Sequence, residues 1–410
     1  MRRVITALAG TAFAGAASWL AGQNPELTPW RDDQANIGIV RQINRAYAHI
    51  PFSTEYEGVL DDCPFEIEWT VGPDIPYPWK GGISGVFGDK VVLAGGHWMG
   101  GKPHTYLFDP QARTYGEIAP YPVATGFSQG DADKDSLYLI GGKTAGQMAV
   151  KLNKTTAGDW QWSDLPPVPE ANRWTSSVNV AGRWLLLYAG SFIDGGKHVA
   201  LPAWRLRLDR LEDGWQPMAP YPGGERAVIT SAVSGGKVYA FGGWRGDNSL
   251  ETVSGELDLR KKYGFWIFPP DPAVQGFRDA YRYDPQTNHW EAIRNLPYSI
   301  FGGKGIPIGD RYILLTGTNS LRRCIRVGRS NPDAAPPYSS QCWLGYDDVI
   351  LCYDIQKDNY SRVGVMLYGV SSWNWAHVGD QLFCFGGEPG HGLNDNRENV
   401  LQIGTIRERR

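Results

Sequence analysis

The sequence predicts an all-β protein, a ring of six four-stranded blades of the β-propeller class. Three observations predict it. A short apolar run that ends in glycine recurs at residues 91–96, 137–142, 186–190, 238–243, 313–317 and 382–387. Each run follows a small-residue strand and precedes a strand that in most repeats ends in Asp-Pro or Asp-x, where the chain reverses. An aromatic residue and a proline-rich exit complete the unit, so each repeat supplies four strands.

The chain opens with a segment that predicts export. Two arginines are followed by an uncharged stretch rich in alanine and glycine, which is typical of a secretory signal peptide at residues 1–22. The alternative, an uncleaved membrane anchor, requires a longer and more apolar stretch. We therefore expect a periplasmic or secreted protein that is not held at a membrane after cleavage. Residues 23–64 are expected to form a polar N-terminal arm.

Composition agrees with one exported globular domain at residues 65–407. The formal net charge is −3, which gives no reason to expect nucleic acid or an anionic membrane as a partner. The 51 glycines and 17 tryptophans suit a repeat built from many turns and aromatic-packed blades.

The ends of this domain predict how the ring closes. The strand-like segment 65–69 comes before the first complete unit, and the last unit ends after its third strand at residues 399–406. We expect the N-terminal strand to complete the last blade, because closure removes two exposed sheet edges.

The repeats resemble the Kelch repeat. The Kelch signature is a double glycine after an apolar strand, followed by an aromatic-x-aromatic-Asp-Pro-x-Thr-Asn-x-Trp hairpin, and residues 281–290 read YRYDPQTNHW. The resemblance implies a six-bladed Kelch-type propeller with a period of roughly 50 residues.

The five cysteines allow one predicted disulfide. Cys324 and Cys342 bracket a loop rich in arginine, proline and serine, and are the best candidates for pairing in an oxidising compartment. Cys352 and Cys384 lie in predicted strands and are expected to be buried free thiols. The sequence does not assign a partner to Cys63.

Unequal repeat lengths predict where function lies. The excess length falls after the fourth and fifth glycine bends, at residues 244–278 and 318–345. Long loops on a rigid scaffold usually carry function. They should build up the face of the ring that also carries the connections between blades.

Charged and aromatic residues near these bends are the candidate ligand-binding groups. They are Arg173, Glu225, Arg226, Lys304, Asn374, Arg245, Trp98 and Trp244. Several cations at one mouth would favour an anionic ligand through bidentate contacts, and tryptophan could stack on a sugar ring. The alternative is structural: an arginine here braces neighbouring blades through loop carbonyls, and most of the tryptophans pack within blades.

In the last repeat, Gly386 and Gly387 are followed by Glu388 and, further on, by Arg397. This arrangement resembles the N-acetylneuraminate epimerases, which are six-bladed Kelch enzymes that interconvert sialic acid anomers. The resemblance implies that Glu388 is the acid/base and that Arg397 binds the sugar carboxylate. The spacing is a few residues longer than in the family, and the blade stands last in the chain, as in a circularly permuted relative. The alternative is a Glu388–Arg397 salt bridge that holds the loop.

The resemblance therefore implies mutarotation of a sialic-acid-like acidic sugar, with no metal or organic cofactor. The alternative is a non-catalytic Kelch module that binds a glycan or a protein. A copper enzyme of the galactose-oxidase type would need paired histidines, and the seven histidines show no such pattern.

Overall fold

The computed structural model describes residues 63–96, 104–123, 128–142, 145–171, 176–194, 197–245, 266–267, 275–297, 300–317, 325–326, 349–367, 370–371, 374–389 and 399–409. The predicted signal peptide and nearly all of the predicted arm lie outside these residues. Among the described residues no helix has the length and apolar character needed to span a bilayer.

Six antiparallel four-stranded sheets form the blades, which confirms the predicted six-bladed propeller. From the innermost strand outward, blade 1 comprises Gly82–Phe87, Lys90–Gly95, Thr105–Asp109 and Thr114–Glu117; blade 2 comprises Gln129–Ala132, Ser136–Ile140, Ala149–Lys154 and Trp160–Asp164; blade 3 comprises Ser177–Ala181, Trp184–Tyr188, Trp204–Arg207 and Trp215–Pro217. Blade 4 comprises Thr230–Ser234, Lys237–Phe241, Ala280–Asp284 and His289–Ile293; blade 5 comprises Ile306–Ile308, Tyr312–Leu315, Val349–Asp354 and Asn359–Val365.

Blade 6 closes the ring as the sequence predicts. Its first three strands are Asn374–Val378, Gln381–Phe385 and Leu401–Glu408, and its outermost strand is the N-terminal Phe65–Val71. Phe65 pairs with Glu408, and Val71 pairs with Gln402. Both chain ends of the propeller therefore meet in one sheet, and the third strand of blade 6 is paired on both sides.

Short strand pairs lie outside the six blades. They are Ser191–Asp194 with Lys197–Ala200, Trp244–Arg245 with Gln275–Gly276, Trp266–Ile267 with Ile325–Arg326, and Val370–Ser371 with Glu388–Pro389. The 3₁₀ turn Leu211–Asp213 is the one helical segment in the described part of the chain.

The hydrophobic core is divided among the blade interfaces. Six buried apolar clusters occur in the described residues, and each joins two neighbouring blades. The cluster between blades 6 and 1, for example, packs Phe383 and Phe385 against Phe108. Successive side chains of a strand lie on opposite faces of its blade. Both faces carry apolar residues, because a neighbouring blade covers each of them.

The aromatic residues and proline-rich exits of the repeat join consecutive blades. Trp162, Trp215 and Trp290 lie in the outermost strands of blades 2, 3 and 4, and each indole N–H donates to a carbonyl in the exit of the preceding blade. In blade 5 the hydroxyl of Tyr360 does the same to the carbonyl of Arg294, at 2.7 Å. The exits are therefore fixed by the next blade, which explains why an aromatic residue follows each Asp turn.

Candidate functional site

The glycine bends form part of one face of the ring, which we call the front face; it carries the connections between second and third strands and those between blades. In three of the bends, the backbone N–H of the second bend residue donates a hydrogen bond to the segment that enters the next blade. Gly190 donates to the carbonyl of Arg226, Gly243 to that of Ile300 and Gly387 to that of Trp79, each at 2.9 Å. Residues that directly follow a bend are therefore held beside the entry to the next blade.

Glu388, the predicted acid/base, directly follows such a bend. Gly386 and Gly387 have φ values of 57° and 88°, in the left-handed region that glycine adopts readily. Glu388–Pro389 then pairs antiparallel with Val370–Ser371, with Glu388 opposite Ser371. Because residues 370–371 belong to the segment that enters blade 6, the backbone of Glu388 lies on the front face. Arg397 lies outside the described residues.

Arg226, a predicted ligand residue, is buried and paired. Its side chain is 2% exposed, and its guanidinium holds the Asp279 carboxylate through two hydrogen bonds of 2.6 and 2.9 Å. It also donates to the carbonyls of Gly223 and Gly242 and lies 3.9 Å from the centre of the Phe277 ring. These contacts are the ones expected of an arginine that braces the front-face loops of blade 4.

Asp279, the carboxylate partner of Arg226, was not among the residues that the sequence analysis singled out. Its carboxylate is 29% exposed, and it accepts from the hydroxyl of Tyr281 at 2.9 Å as well as from Arg226. Burial, followed by the hydrogen bond to Asp279, raises the pKa of Tyr281 above its usual value. Asp279 lies at the end of the long insertion of blade 4. Apart from the charged residues beside it, nothing in the local sequence indicated that it would contact Arg226.

Lys304 points into the channel at the centre of the ring. Its ammonium lies 3.3 Å from a carboxylate oxygen of Asp131, which belongs to the innermost strand of blade 2. The other oxygen of Asp131 accepts from the Val180 N–H at 3.0 Å and from the Asn179 amide at 3.3 Å. Lys304 is thus part of a polar network that joins blades 2, 3 and 5.

Asn374 joins blade 6 to blade 1. Its side-chain oxygen accepts from the hydroxyl of Ser84 at 2.6 Å, and its amide nitrogen donates to the carbonyl of Gly82 at 3.1 Å. The side chain is buried. These bonds satisfy the amide inside the wall of the channel.

A cavity of about 400 Å³ lies along the channel and is lined by the innermost strands of all six blades. Its polar lining includes Asp131, Asn179, Lys304 and His377. Burial lowers the pKa of His377, so its ring is neutral near pH 7. The Asp131–Lys304 pair therefore supplies both signs of charge to a space that opens along the axis of the ring.

The other predicted site residues are placed only in part. Glu225 precedes the buried Arg226 and is partly exposed. The backbones of Trp244 and Arg245 form the strand that follows the bend of blade 4 and pairs with Gln275–Gly276. Arg173, Trp98 and both cysteines of the predicted disulfide, Cys324 and Cys342, lie outside the described residues. The structure thus brings Glu388, Trp244 and Arg245 to the same face, whereas Lys304 and Asn374 are engaged in the channel wall.

The two long insertions meet. Trp266–Ile267 of the blade 4 insertion pairs antiparallel with Ile325–Arg326 of the blade 5 insertion. The sequence predicted that both would build up one face, and this pairing joins them there. Within the described part of the chain, no three His, Cys, Asp or Glu side chains cluster as a metal site would require.

Comparison with curated proteins finds several named N-acetylneuraminate epimerase. The protein of Yersinia pestis (strain Pestoides F) is 26% identical over 209 residues, which are 46% of this chain and 47% of the relative. The protein of Yersinia enterocolitica is 30% identical over 137 residues, 32% of this chain and 30% of the relative. That of Haemophilus influenzae (strain PittEE) is 32% identical over 106 residues, 26% of this chain and 22% of the relative.

The chain spans about half the length of the first of these relatives and less of the others. No protein-family model matches it. The six-bladed propeller and these relatives together confirm the resemblance to the N-acetylneuraminate epimerases that the sequence analysis predicts.

Proposed function

We propose that this protein is a mutarotase that interconverts the anomers of an acidic sugar of the N-acetylneuraminate class at its front face. The observation that carries the proposal is the place of Glu388. It directly follows a double-glycine bend and pairs with the segment that enters the same blade. The relatives named N-acetylneuraminate epimerase support the choice of reaction.

Ring opening requires two proton transfers and no redox step, and ring closure reverses both. A base removes the proton of the anomeric hydroxyl while an acid protonates the ring oxygen, which leaves as a hydroxyl, and the carbonyl carbon then turns its other face to that hydroxyl. The Glu388 carboxylate would take the anomeric hydroxyl proton and return it to the carbonyl oxygen on closure, while the hydroxyl returns its proton to the acid, so the enzyme is unchanged after each cycle. Positioned acid–base catalysis of this kind contributes about 10²–10⁴-fold.

Arg397 would bind the carboxylate of the sugar, since a guanidinium forms two parallel hydrogen bonds with a carboxylate. Trp98 and Trp244 would stack on the sugar ring. Arg226 has a different role in this proposal: with Asp279 it holds the front-face loops of blade 4 in place.

The test follows the anomers by proton NMR after a sialidase releases α-N-acetylneuraminate. We expect wild-type protein to accelerate relaxation to the β anomer, and Glu388→Gln to reduce that rate by about 10²-fold or more, because glutamine cannot accept the proton. Glu66→Gln is the matched control: Glu66 is an exposed glutamate on the outermost strand of blade 6, and its replacement should leave the rate unchanged.

Two results would contradict the proposal. Equal rates for wild type and Glu388→Gln would remove Glu388 from the mechanism. Broadening of the sugar signals without any acceleration by wild-type protein would instead show a module that binds the sugar without turnover.

A further inference from the structure

Two buried thiols meet where the closing strand packs on blade 5. Cys63 precedes the outermost strand of blade 6, and Cys352 lies in the third strand of blade 5. Both belong to the apolar cluster between these blades, where they are 4% and 1% exposed. The two thiols interact closely enough that each shifts the pKa of the other, and both are free cysteines in the structure.

Independent contacts hold Cys63 in this place. The backbone N–H of Arg409 donates to the carbonyl of Pro64 at 2.8 Å, and its guanidinium donates to the carbonyl of Val363 in blade 5 at 3.1 Å. The ring of Phe65 packs edge-on against Tyr312 of blade 5, with 5.0 Å between ring centres. The chain on the C-terminal side of Cys63 is therefore docked on blade 5, and the two thiols meet through fixed elements.

The two thiols differ in acidity. The hydrogen bond from Cys352 lowers the pKa of Cys63 to about 7; burial opposes this, and the Phe65 N–H, Ser361 and the charge of Arg409 favour the thiolate. The same hydrogen bond and burial raise the pKa of Cys352. Cys63 is thus the nucleophile of the pair, because the thiolate is the reactive form.

A cavity gives a small reagent a route to Cys63. It has a volume of about 250 Å³ and is lined by Cys63, Pro64, Tyr312, Ser361 and polar residues of the turn that joins the third and fourth strands of blade 5. Cys384 differs from this pair: it is fully buried in the second strand of blade 6, and burial alone raises its pKa.

We propose that Cys63 and Cys352 are a disulfide site that covalently fastens the closing strand to blade 5. A small organic disulfide is the oxidant. The Cys63 thiolate attacks one sulfur of the reagent and expels its other half as a thiolate. Cys352 then loses its proton, its sulfur attacks the Cys63 sulfur, and the second half of the reagent leaves. The two cysteines give up two electrons and two protons, and the reagent becomes two thiols.

The bond would stabilise the ring in two ways. It ties the closing strand of blade 6 to the neighbouring blade 5, and it closes a loop from residue 63 to residue 352. Constraint of so long a loop in the unfolded chain raises the melting temperature by about 5 °C for a domain of this size.

The experiment treats the full chain with hydroxyethyl disulfide, removes the reagent, and maps cysteine peptides by mass spectrometry without reduction. We expect one linked species that joins the peptides of Cys63 and Cys352 and is lighter than their sum by two hydrogen atoms. Thermal unfolding before and after dithiothreitol should show a loss of about 5 °C on reduction. Cys384→Ser should keep this loss, whereas Cys63→Ser and Cys352→Ser should each lack the part of it, about 5 °C, that the Cys63–Cys352 bond contributes.

Peptide mapping of the wild-type chain decides the matter even if a serine variant fails to fold. Recovery of Cys63 and Cys352 as two alkylated thiols after oxidation would overturn the proposal, as would a reagent half that stays on Cys63. A reduction-dependent melting shift as large in Cys63→Ser as in the wild-type chain would assign the whole effect to another pair, such as Cys324 and Cys342, and would also overturn it.

Discussion

At the scale of single residues, Arg226, a candidate ligand group, has the contacts expected of a structural brace. The sequence predicted a cation beside the entry to blade 4, with bracing as the alternative. The structure places its guanidinium on Asp279 and on two loop carbonyls. Asp279 is 53 residues further along the chain, and no local pattern joins the two positions.

We therefore expect Arg226→Met to lower the free energy of unfolding by about 3 kcal/mol, because it removes the positive charge paired with the Asp279 carboxylate and the hydrogen bonds to two carbonyls. Urea denaturation measures this loss. Arg282→Met is the control in the same blade, since the Arg282–Glu291 pair is on the surface and should cost less than about 1 kcal/mol. Unchanged stability in Arg226→Met together with weaker sugar binding would show that Arg226 is a ligand residue.

The glycine bends allow a second prediction at this scale. Gly95 and Gly242 have nearly the same φ, 65° and 61°. A Cβ at Gly95 would lie 3.6 Å from its nearest neighbour, the hydroxyl oxygen of Ser128, whereas a Cβ at Gly242 would clash with the carbonyl oxygen of Ile300. Blade 3 has Ala189 at this position with φ of 51°, so the conformation alone tolerates a methyl group.

Gly95→Ala should thus cost about 1 kcal/mol, the strain of a left-handed alanine. Gly242→Ala should cost about 3 kcal/mol or more, because the backbone of blade 5 must also move. Thermal unfolding of the two variants measures the difference, and equal losses would show that the bend does not hold the next blade.

At the scale of the repeated element, an aspartate ends the third strand and pairs with a cation at the start of the second. Lys90–Asp109, Lys237–Asp284 and Arg311–Asp354 lie at 2.8, 3.0 and 2.7 Å in blades 1, 4 and 5. The sequence predicted the aspartates from their turns. It did not predict the cations, because strand pairing alone brings the second and third strands together.

Asp354 gives this element a measurable pH dependence. Burial alone would raise its pKa, but hydrogen bonds from Arg311 and from the N–H groups of Lys357 and Gln356 lower it below the usual value. A carboxyl with a lowered folded-state pKa stabilises the protein above its unfolded pKa, near 4, and loses that contribution as pH falls through the folded value.

Asp354→Asn should therefore be less stable than wild type by about 1 kcal/mol at pH 6, with the gap closing as pH falls below 4. Denaturation at several pH values measures the gap. Asp159→Asn is the control, because Asp159 is an exposed aspartate in the corresponding turn of blade 2. A gap that is constant from pH 6 to pH 3 would contradict this account of Asp354.

At the scale of the whole molecule, the sequence predicted most of the architecture. Six recurring glycine bends predicted six blades, and unpaired strands at the two ends predicted closure in blade 6; the structure confirms both. The pairing between the two insertions was not predictable, because it joins two-residue strands from segments without periodicity.

Closure can be tested at Gly404, which lies opposite Trp69 in the closing pair. A Cβ at Gly404 would lie 2.7 Å from Ile67 and 3.0 Å from Trp69, whereas one at Gly116, in the outermost strand of blade 1, would meet nothing within 4 Å. Gly404→Ala should therefore cost about 1–3 kcal/mol. Gly116→Ala should change the free energy of unfolding by less than about 0.5 kcal/mol. Equal effects in thermal unfolding would mean that the closing strand does not pack as described.

The central claim is that the front face catalyses anomer exchange, and magnetisation exchange at equilibrium tests it most directly. Two-dimensional exchange NMR of N-acetylneuraminate with wild-type protein should give cross-peaks between the α and β anomers that disappear with Glu388→Gln. The 2-O-methyl glycoside has no free anomeric hydroxyl, so its ring cannot open by this route and it should give no cross-peaks. The absence of cross-peaks with wild-type protein, at a concentration where the sugar is shown to bind, would contradict the claim.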